Sequence, residues 1–247
     1  IFLDRFSYKA LFTAAGTIGL VMVCVWFYGF SRLKYYIATA GESFDKANGK
    51  AKSEKSGRFL PILFSTGAVF AVGCILFNGI LKDGVTLWLP SYLNDFFNVS
   101  DSTASVILII LPVINLAGAF VAVRLNSKKL HNEFATSAVM FLISLSGIIL
   151  LYFFGRYSPI LAAVLISLFT STMLGANTML LTFIPMNFAA IGRASTLTGL
   201  LDAFSYLASA VSAVSIGVVA EKYGWNATVL SWAGVALAGL IVASIAI

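Results

Sequence analysis

The feature of this sequence that most limits its fold is a succession of apolar runs, each long enough to cross a lipid bilayer. A helix rises about 1.5 Å per residue, so roughly 20 residues cover a hydrocarbon core of about 30 Å. The first run, residues 10–30, carries no charge and ends in Trp26, Phe27 and Tyr28, aromatic residues typical of membrane interfaces. The other runs are residues 59–95, 102–123, 134–154, 160–184, 195–220 and 226–247. The sequence therefore predicts an all-α membrane protein with seven transmembrane helices.

Composition separates this chain from soluble proteins. Hydrophobic residues make up 60% of it and charged residues only 11%, whereas a soluble domain is roughly 25% charged. The formal net charge is +6, but the lysines and arginines cluster in short segments between the apolar runs. That placement is typical of topology signals and does not favour a nucleic-acid partner. The lipid bilayer is the partner that the composition predicts.

The basic residues also predict the orientation and the domains. With seven crossings, eleven Lys and Arg lie on the side of the hydrophilic residues 32–58 and five on the other side. The positive-inside rule then places residues 32–58 in the cytoplasm of a multi-pass protein, and we expect the cell membrane. Much of residues 38–57 is expected to be poorly ordered.

The two ends of the chain suggest a piece of a longer protein, because it begins without Met and stops inside an apolar run. We interpret residues 1–31 as the last helix of a missing N-terminal bundle. Residues 32–58 are then a linker, and residues 59–247 form a C-terminal six-helix bundle.

Lys82 and Asp83 interrupt the longest apolar run. A charge inside the bilayer is costly and is a candidate functional group, unless it lies at a helix end and extends to the interface. Both alternatives are open from the sequence. Because neighbouring residues point about 100° apart on a helix, we expect Lys82 and Asp83 not to pair with each other. Lys82 would then be available for Asp202 or for an anion.

Other polar residues lie within the runs. Asn78 is one helical turn before Lys82 on the same face, and Asn115 and Asn177 interrupt later runs. Each asparagine either forms hydrogen bonds between helices or lines a cavity. Asp202 shares a face with small polar residues, for which close helix packing is the alternative to a functional role. These small residues are Thr198, Ser205, Ser209 and Ser212.

Catalytic chemistry has little support, and we predict no enzyme, no catalytic residues, no metal site and no cofactor. The only histidine, His131, has no Cys or carboxylate cluster near it in sequence. No G-x-x-x-x-G-K-[ST] motif for nucleotide phosphates occurs. Cys24 and Cys74 lie in apolar runs and are expected to be buried thiols, not a disulfide or metal ligands.

Three segments resemble the second half of major facilitator superfamily transporters. GILKDGVTLWLPSYL at 79–93 resembles the seventh helix of the organophosphate:phosphate antiporters and of their sugar-phosphate and anion:cation symporter relatives. Residues 191–225 are similar to the tenth-to-eleventh-helix loop and eleventh helix of that group. GAFVAVRLNSKK at 118–129 is similar to a loop motif of the family, with Asn126 in place of the expected acid. The resemblance implies that the seven helices correspond to helices 6–12 of a twelve-helix fold.

The same resemblance implies a secondary active transporter that moves a small organic anion, such as a phosphate ester or a sugar acid. Lys82 corresponds to the basic residue of the family's anion site, where arginine is favoured, and Asp83 adds a carboxylate that phosphate binding does not favour. A proton-coupled exporter of drug-like compounds and a membrane solute sensor are the alternatives. The coupling ion stays open among proton, sodium and phosphate. The predicted substrate-binding residues are Asn78, Lys82, Asp83, Trp88, Asn115, Asn177, Asp202 and Tyr206.

Overall fold

The computed structural model describes residues 8–39, 61, 63–64 and 66–247. The regular structure of these residues is entirely helical, with no strand, which confirms the all-α prediction. The predicted poor order of residues 38–57 falls outside the described residues, except that residues 38–39 belong to a helix. The first helix therefore extends beyond the apolar run that predicted it.

Eight α-helices follow one another along the described chain. They are α1 (Tyr8–Thr39), α2 (Ala68–Gly79), α3 (Val85–Phe97), α4 (Asp101–Leu125), α5 (Glu133–Phe154), α6 (Pro159–Thr178), α7 (Ile184–Met186) and α8 (Ala194–Ile245). Three π-helical turns continue α2, α4 and α6 at Ile80–Gly84, Asn126–Leu130 and Met179–Phe183. Short 3-10 turns lie at Gly155–Tyr157 and Ala189–Ile191. The first π-turn joins α2 and α3 into one continuous helix.

The chain divides into two compact units, residues 1–56 and 57–247. In the first unit, α1 is apolar on every side, and its side chains from Phe12 to Leu33 are exposed. Cys24 is among them, so the prediction that it is buried was wrong, whereas Cys74 is buried as predicted. A helix of this kind has no stripe of its own to bury in a protein core, and it is typical of a segment that lies in lipid or against another helix.

Within the described residues, five helical segments are long and apolar enough to cross a membrane, as an integral membrane protein requires. They are Phe12–Leu33, Ala68–Phe97, Glu133–Tyr157, Pro159–Ile191 and Ala194–Ile245. The last has 52 residues and would measure about 78 Å if it were straight. Gly224 interrupts it with φ 78° and ψ 171°, a conformation that is open essentially to glycine alone. We call residues 194–223 the first arm of α8 and residues 225–245 its second arm.

The second unit is held together by helices that approach each other backbone to backbone. A Cβ atom built on Gly79 would lie 2.6 Å from the carbonyl oxygen of Ser205 in the first arm of α8. A Cβ atom on Gly118 of α4 would overlap the backbone of Ser171 in α6. Small residues at these crossings allow the close contact, as is common between membrane helices.

Contacts between helices also show their relative directions. Along α2–α3 and the first arm of α8 the contacting residue numbers rise together, so these helices are parallel, as are α4 and α6. The contacts are Gly79–Ser205, Gly84–Ser212 and Trp88–Ala213 for the first pair, and Asn115–Thr170 and Ala122–Gly175 for the second. The helix α5 runs antiparallel to α6 (Gly147–Phe169, Met140–Gly175), and the second arm of α8 runs antiparallel to α2–α3 (Gly73–Val242, Tyr92–Trp232). The direction therefore alternates from α4 to α5 to α6, and again between the two arms of α8.

Candidate functional site

Lys82 lies at the centre of a continuous helix. It is the fifteenth of the 30 residues of Ala68–Phe97, and the first π-turn carries the helix through it without a break. Either end of this helix is therefore about 20 Å away along the axis. A lysine side chain cannot reach across that distance, so placement of Lys82 at a helix end is excluded.

Lys82 and Asp83 form an ion pair, so the prediction that they cannot pair was wrong. The Lys82 Nζ lies 3.0 Å from the Asp83 Oδ1, and 21% and 33% of the two side chains are exposed. The π-turn packs more residues into each turn than an α-helix does, which reduces the angle between neighbours. The flexible four-carbon stem of lysine covers the remaining separation. The site therefore presents a paired ammonium and carboxylate.

Asp202 is not brought to Lys82. The contacts Gly79–Ser205 and Gly84–Ser212 place Lys82 level with residue 209 of the first arm of α8. Asp202 is two turns before that level, about 10 Å along the axis, and it is half-buried.

The rest of the polar face predicted on the first arm is buried or half-buried. Ser205 and Ser212 are buried against Gly79 and Gly84, which confirms the packing alternative for these two serines. Tyr206 is 67% exposed and lies outside this contact.

Asn78 faces α6. Its side chain is fully buried, and its Nδ2 donates a hydrogen bond of 2.7 Å to the carbonyl oxygen of Met173. Its Oδ1 is buried and has no hydrogen-bond partner among the described residues. Asn177 is half-buried on α6, and its Oδ1 is likewise buried with no partner in the described part of the chain. Asn78 thus links two helices through its nitrogen and leaves its oxygen free.

Asn115 forms hydrogen bonds between helices, the first of the two alternatives that the sequence left open. Its Oδ1 accepts a hydrogen bond of 2.9 Å from the Thr170 hydroxyl, and its residue is 9% exposed. One residue further along α6, the Ser171 hydroxyl donates to the carbonyl oxygen of Ile114 at 3.2 Å. Asn115 therefore belongs to a contact between α4 and α6 and not to the surroundings of Lys82.

Trp88 is fixed by the first arm of α8. Its Nε1 donates a hydrogen bond of 3.0 Å to the carbonyl oxygen of Ala213, and its ring covers Gly217, where a Cβ atom would lie 2.6 Å from the ring. The ring lines a cavity of about 510 Å³ that Asp95, Glu221 and Trp225 also line. Lys82 does not line this cavity, so the structure separates the two predicted site residues.

Sequence reasoning missed several residues that make these contacts. Trp225 donates from Nε1 to the Asp95 Oδ2 at 3.2 Å, although the residues are 130 positions apart. The Met173 carbonyl oxygen accepts from Asn78, and the Thr170 hydroxyl donates to Asn115. Only the polar hydroxyl of Thr170 within an apolar run gave a local signal, because the other contacts depend on tertiary packing.

Among the described residues, no three His, Cys, Asp or Glu side chains come together as metal ligands. Comparison with known proteins finds no family whose model matches the chain and no curated protein that matches its sequence. Function is therefore inferred from the geometry around Lys82.

Proposed function

We propose that this chain is part of a secondary active transporter of the major facilitator type that moves a small organic anion, such as a phosphate ester or a sugar acid. The observation that carries the proposal is the position of Lys82 at the centre of a helix of membrane-crossing length. A charged lysine at the centre of a bilayer costs about 2.5 to 3.5 kcal/mol on insertion scales. That cost is offset if the ammonium contacts protein, water or an anionic solute instead of lipid.

The packing of the second unit supports the proposed architecture. Alternating directions are what six consecutive crossings require, with α4 and the two arms of α8 counted among them. The helix α1 would be the seventh crossing, and the basic segment after it would lie in the cytoplasm of a cell-membrane protein. A six-helix bundle of this kind would move against a second bundle of the same protein, with the solute bound between them.

The Lys82–Asp83 pair gives the proposed anion site a definite chemistry. The ammonium has three N–H donors and no acceptor, so it offers two donors to an anion while one contacts Asp83. Charge-assisted hydrogen bonds of this type are about twice as strong as neutral ones. The carboxylate competes with the solute for the same ammonium, which favours weak, reversible binding of the kind that a transporter needs.

The test is solute counterflow in proteoliposomes that contain the full-length protein. Labelled phosphate esters and sugar acids are the probes, and Lys82→Gln is expected to reduce counterflow of the transported anion at least tenfold. Lys82→Arg keeps the charge and is expected to retain part of the activity. Lys222→Gln removes a lysine beside the break at Gly224 and serves as the control. Counterflow by Lys82→Gln at the wild-type rate would refute the anion proposal, and anion binding without counterflow would favour a sensor.

The carboxylate in the pair favours a second candidate, a proton-coupled exporter of drug-like compounds. In that case Asp83 would carry the proton, and Lys82 would stabilise its charged form. Uptake driven by a pH gradient would then fail in Asp83→Asn and survive in Lys82→Gln. The anion transporter predicts the opposite order, with Lys82→Gln the more damaging variant.

A further inference from the structure

Two buried amide oxygens at one level of the second unit have no hydrogen-bond partner. Four buried side-chain atoms in the described part of the chain lack one: the Asn78 Oδ1, the Asn177 Oδ1, the Ser144 Oγ and the Trp232 Nε1. Only the two amide oxygens are acceptors without any donor capacity. A buried polar atom that is left unpaired costs about 1 to 3 kcal/mol.

The hydrogen bonding places the two amides at the same turn of α6. Asn78 donates to the carbonyl oxygen of Met173, and in an α-helix that carbonyl is the regular acceptor for the N–H group of Asn177. The amide of Asn78 therefore lies against the backbone of the turn that carries Asn177. The bond to Met173 also fixes which end of the Asn78 amide is the oxygen, because only the nitrogen can donate.

Both helices change their hydrogen-bond pattern just after these asparagines. The π-turns begin at Ile80, two residues after Asn78, and at Met179, two residues after Asn177. Pro185 contributes to the π-turn that begins at Met179, because it has no N–H group to donate to the carbonyl oxygen of Leu181. Return from a π-turn to an α-helix leaves one backbone carbonyl outside the regular ladder, and π-turns are frequent at functional sites.

We propose that the Oδ1 atoms of Asn78 and Asn177 are ligands of a sodium ion held between the two interrupted helices. Amide and backbone carbonyl oxygens are hard, neutral ligands, and carbonyls released at helix interruptions coordinate sodium in other transporter folds. The side chain of Asn177 is only half-buried, so part of it is accessible from the surface of the second unit. This proposal does not depend on the identity of the transported solute.

Two features of the surroundings bear on the charge of the ligand. Lys82 is one turn beyond Asn78, but Asp83 pairs with it, so the local formal charge is zero. The amide nitrogen of Asn78 already donates to Met173, so at this residue the acceptor is the open group. A water molecule could also satisfy the two acceptors with its two protons. A thermal stability that depends on which cation is present distinguishes a bound sodium ion from bound water.

The experiment is thermal unfolding of the full-length protein in detergent, followed by tryptophan fluorescence at constant ionic strength. Sodium chloride replaces choline chloride in steps, and the midpoint temperature is expected to rise and saturate, by about 2 °C or more. Asn177→Leu is expected to abolish this rise. Asn177→Asp keeps an oxygen ligand and adds a negative charge. The sodium concentration that gives half of the rise in midpoint temperature should therefore be lower than for the wild-type protein.

The matched control is Asn115→Leu, which alters another buried asparagine that contacts α6. It is expected to lower the midpoint with and without sodium and to leave the increment intact. Equal midpoints in sodium and choline for the wild-type protein would overturn the proposal and would indicate that water satisfies the two oxygens. Loss of the increment in Asn115→Leu as well, or an unchanged sodium dependence in Asn177→Asp, would place the ion elsewhere and would also overturn it. Asn177→Asp decides the matter if Asn177→Leu does not fold.

Discussion

Helix α6 carries two buried polar contacts that differ in one respect. Toward α4, the oxygen of Asn115 accepts from Thr170, and the Ser171 hydroxyl donates to a backbone carbonyl. Toward α2, Asn78 donates to Met173, but its own oxygen remains unpaired. We call these the closed contact and the open contact. The closed contact is complete within the protein, whereas the open one has an acceptor that no described residue satisfies.

The difference shows how a structural asparagine can be told from a candidate ligand. In both contacts the residue type, the burial and the neighbouring helix are alike, so none of these distinguishes them. The number of unpaired acceptors does distinguish them, because only an unpaired acceptor carries an energetic cost that a bound species can remove. The following predictions test that distinction, from the largest expected effect to the smallest.

Gly118→Ala is expected to have the largest effect, because it separates the helices of the closed contact. The new Cβ atom would overlap the backbone of Ser171, so α4 must move away from α6 and the hydrogen bonds beside it lengthen. We expect a loss of about 3 kcal/mol in the free energy of unfolding. The measurement is an SDS titration of the full-length protein in mixed micelles. Gly234→Ala, where the Cβ atom meets open space, is the control and should not destabilise the protein.

Thr170→Val is expected to turn the closed contact into an open one. The substitution keeps the shape of the side chain but leaves the Asn115 Oδ1 without its donor, at a cost of about 1 kcal/mol in the same titration. Thr172→Val is the control on the same helix, because the Thr172 hydroxyl donates to a carbonyl of its own helix, that of Phe169. Equal losses in the two variants would show that the contact with Asn115 contributes nothing.

Asn78→Leu is expected to have the smallest effect when sodium is absent. Leucine has the same branching and number of heavy atoms, and it removes one hydrogen bond together with one unpaired acceptor, so the two changes largely cancel. We expect the free energy of unfolding to change by less than about 0.5 kcal/mol in the SDS titration. A loss above about 2 kcal/mol would mean that Asn78 is as fully satisfied as Asn115, and the comparison between the contacts would fail.

The helical fold could be predicted because it depends on local composition. Long apolar runs leave helices as the only arrangement that satisfies the backbone within one segment, and the structure contains those helices and no strand in its described part. The boundaries of the helices were predicted less accurately than their existence. The helix α1 continues to Thr39 through a basic segment that apolarity alone marked as a linker, since lysine and arginine are good helix formers.

The site was predicted less well because its contacts join distant or flexible groups. The polar positions Asn78, Asn115 and Asn177 stand out in the sequence, but their partners are chosen by tertiary packing, 55 residues away in the case of Asn115 and Thr170. The angle between neighbouring residues on a helix argued against a Lys82–Asp83 pair. That angle describes Cβ directions, and a long lysine stem on a π-turn is not bound by it.

The same ion pair determines how its helix responds to membrane voltage. Moving one elementary charge through a potential of 100 mV changes the free energy by about 2.3 kcal/mol. A lone lysine on a moving helix would therefore make that movement depend on voltage. Because the carboxylate of Asp83 stays 3.0 Å from the ammonium, the pair contributes a dipole and no net charge at the centre of the helix. In the proposed transporter, movement of this pair would be nearly silent electrically, and a current would report mainly the charges of the solute and its coupling ion.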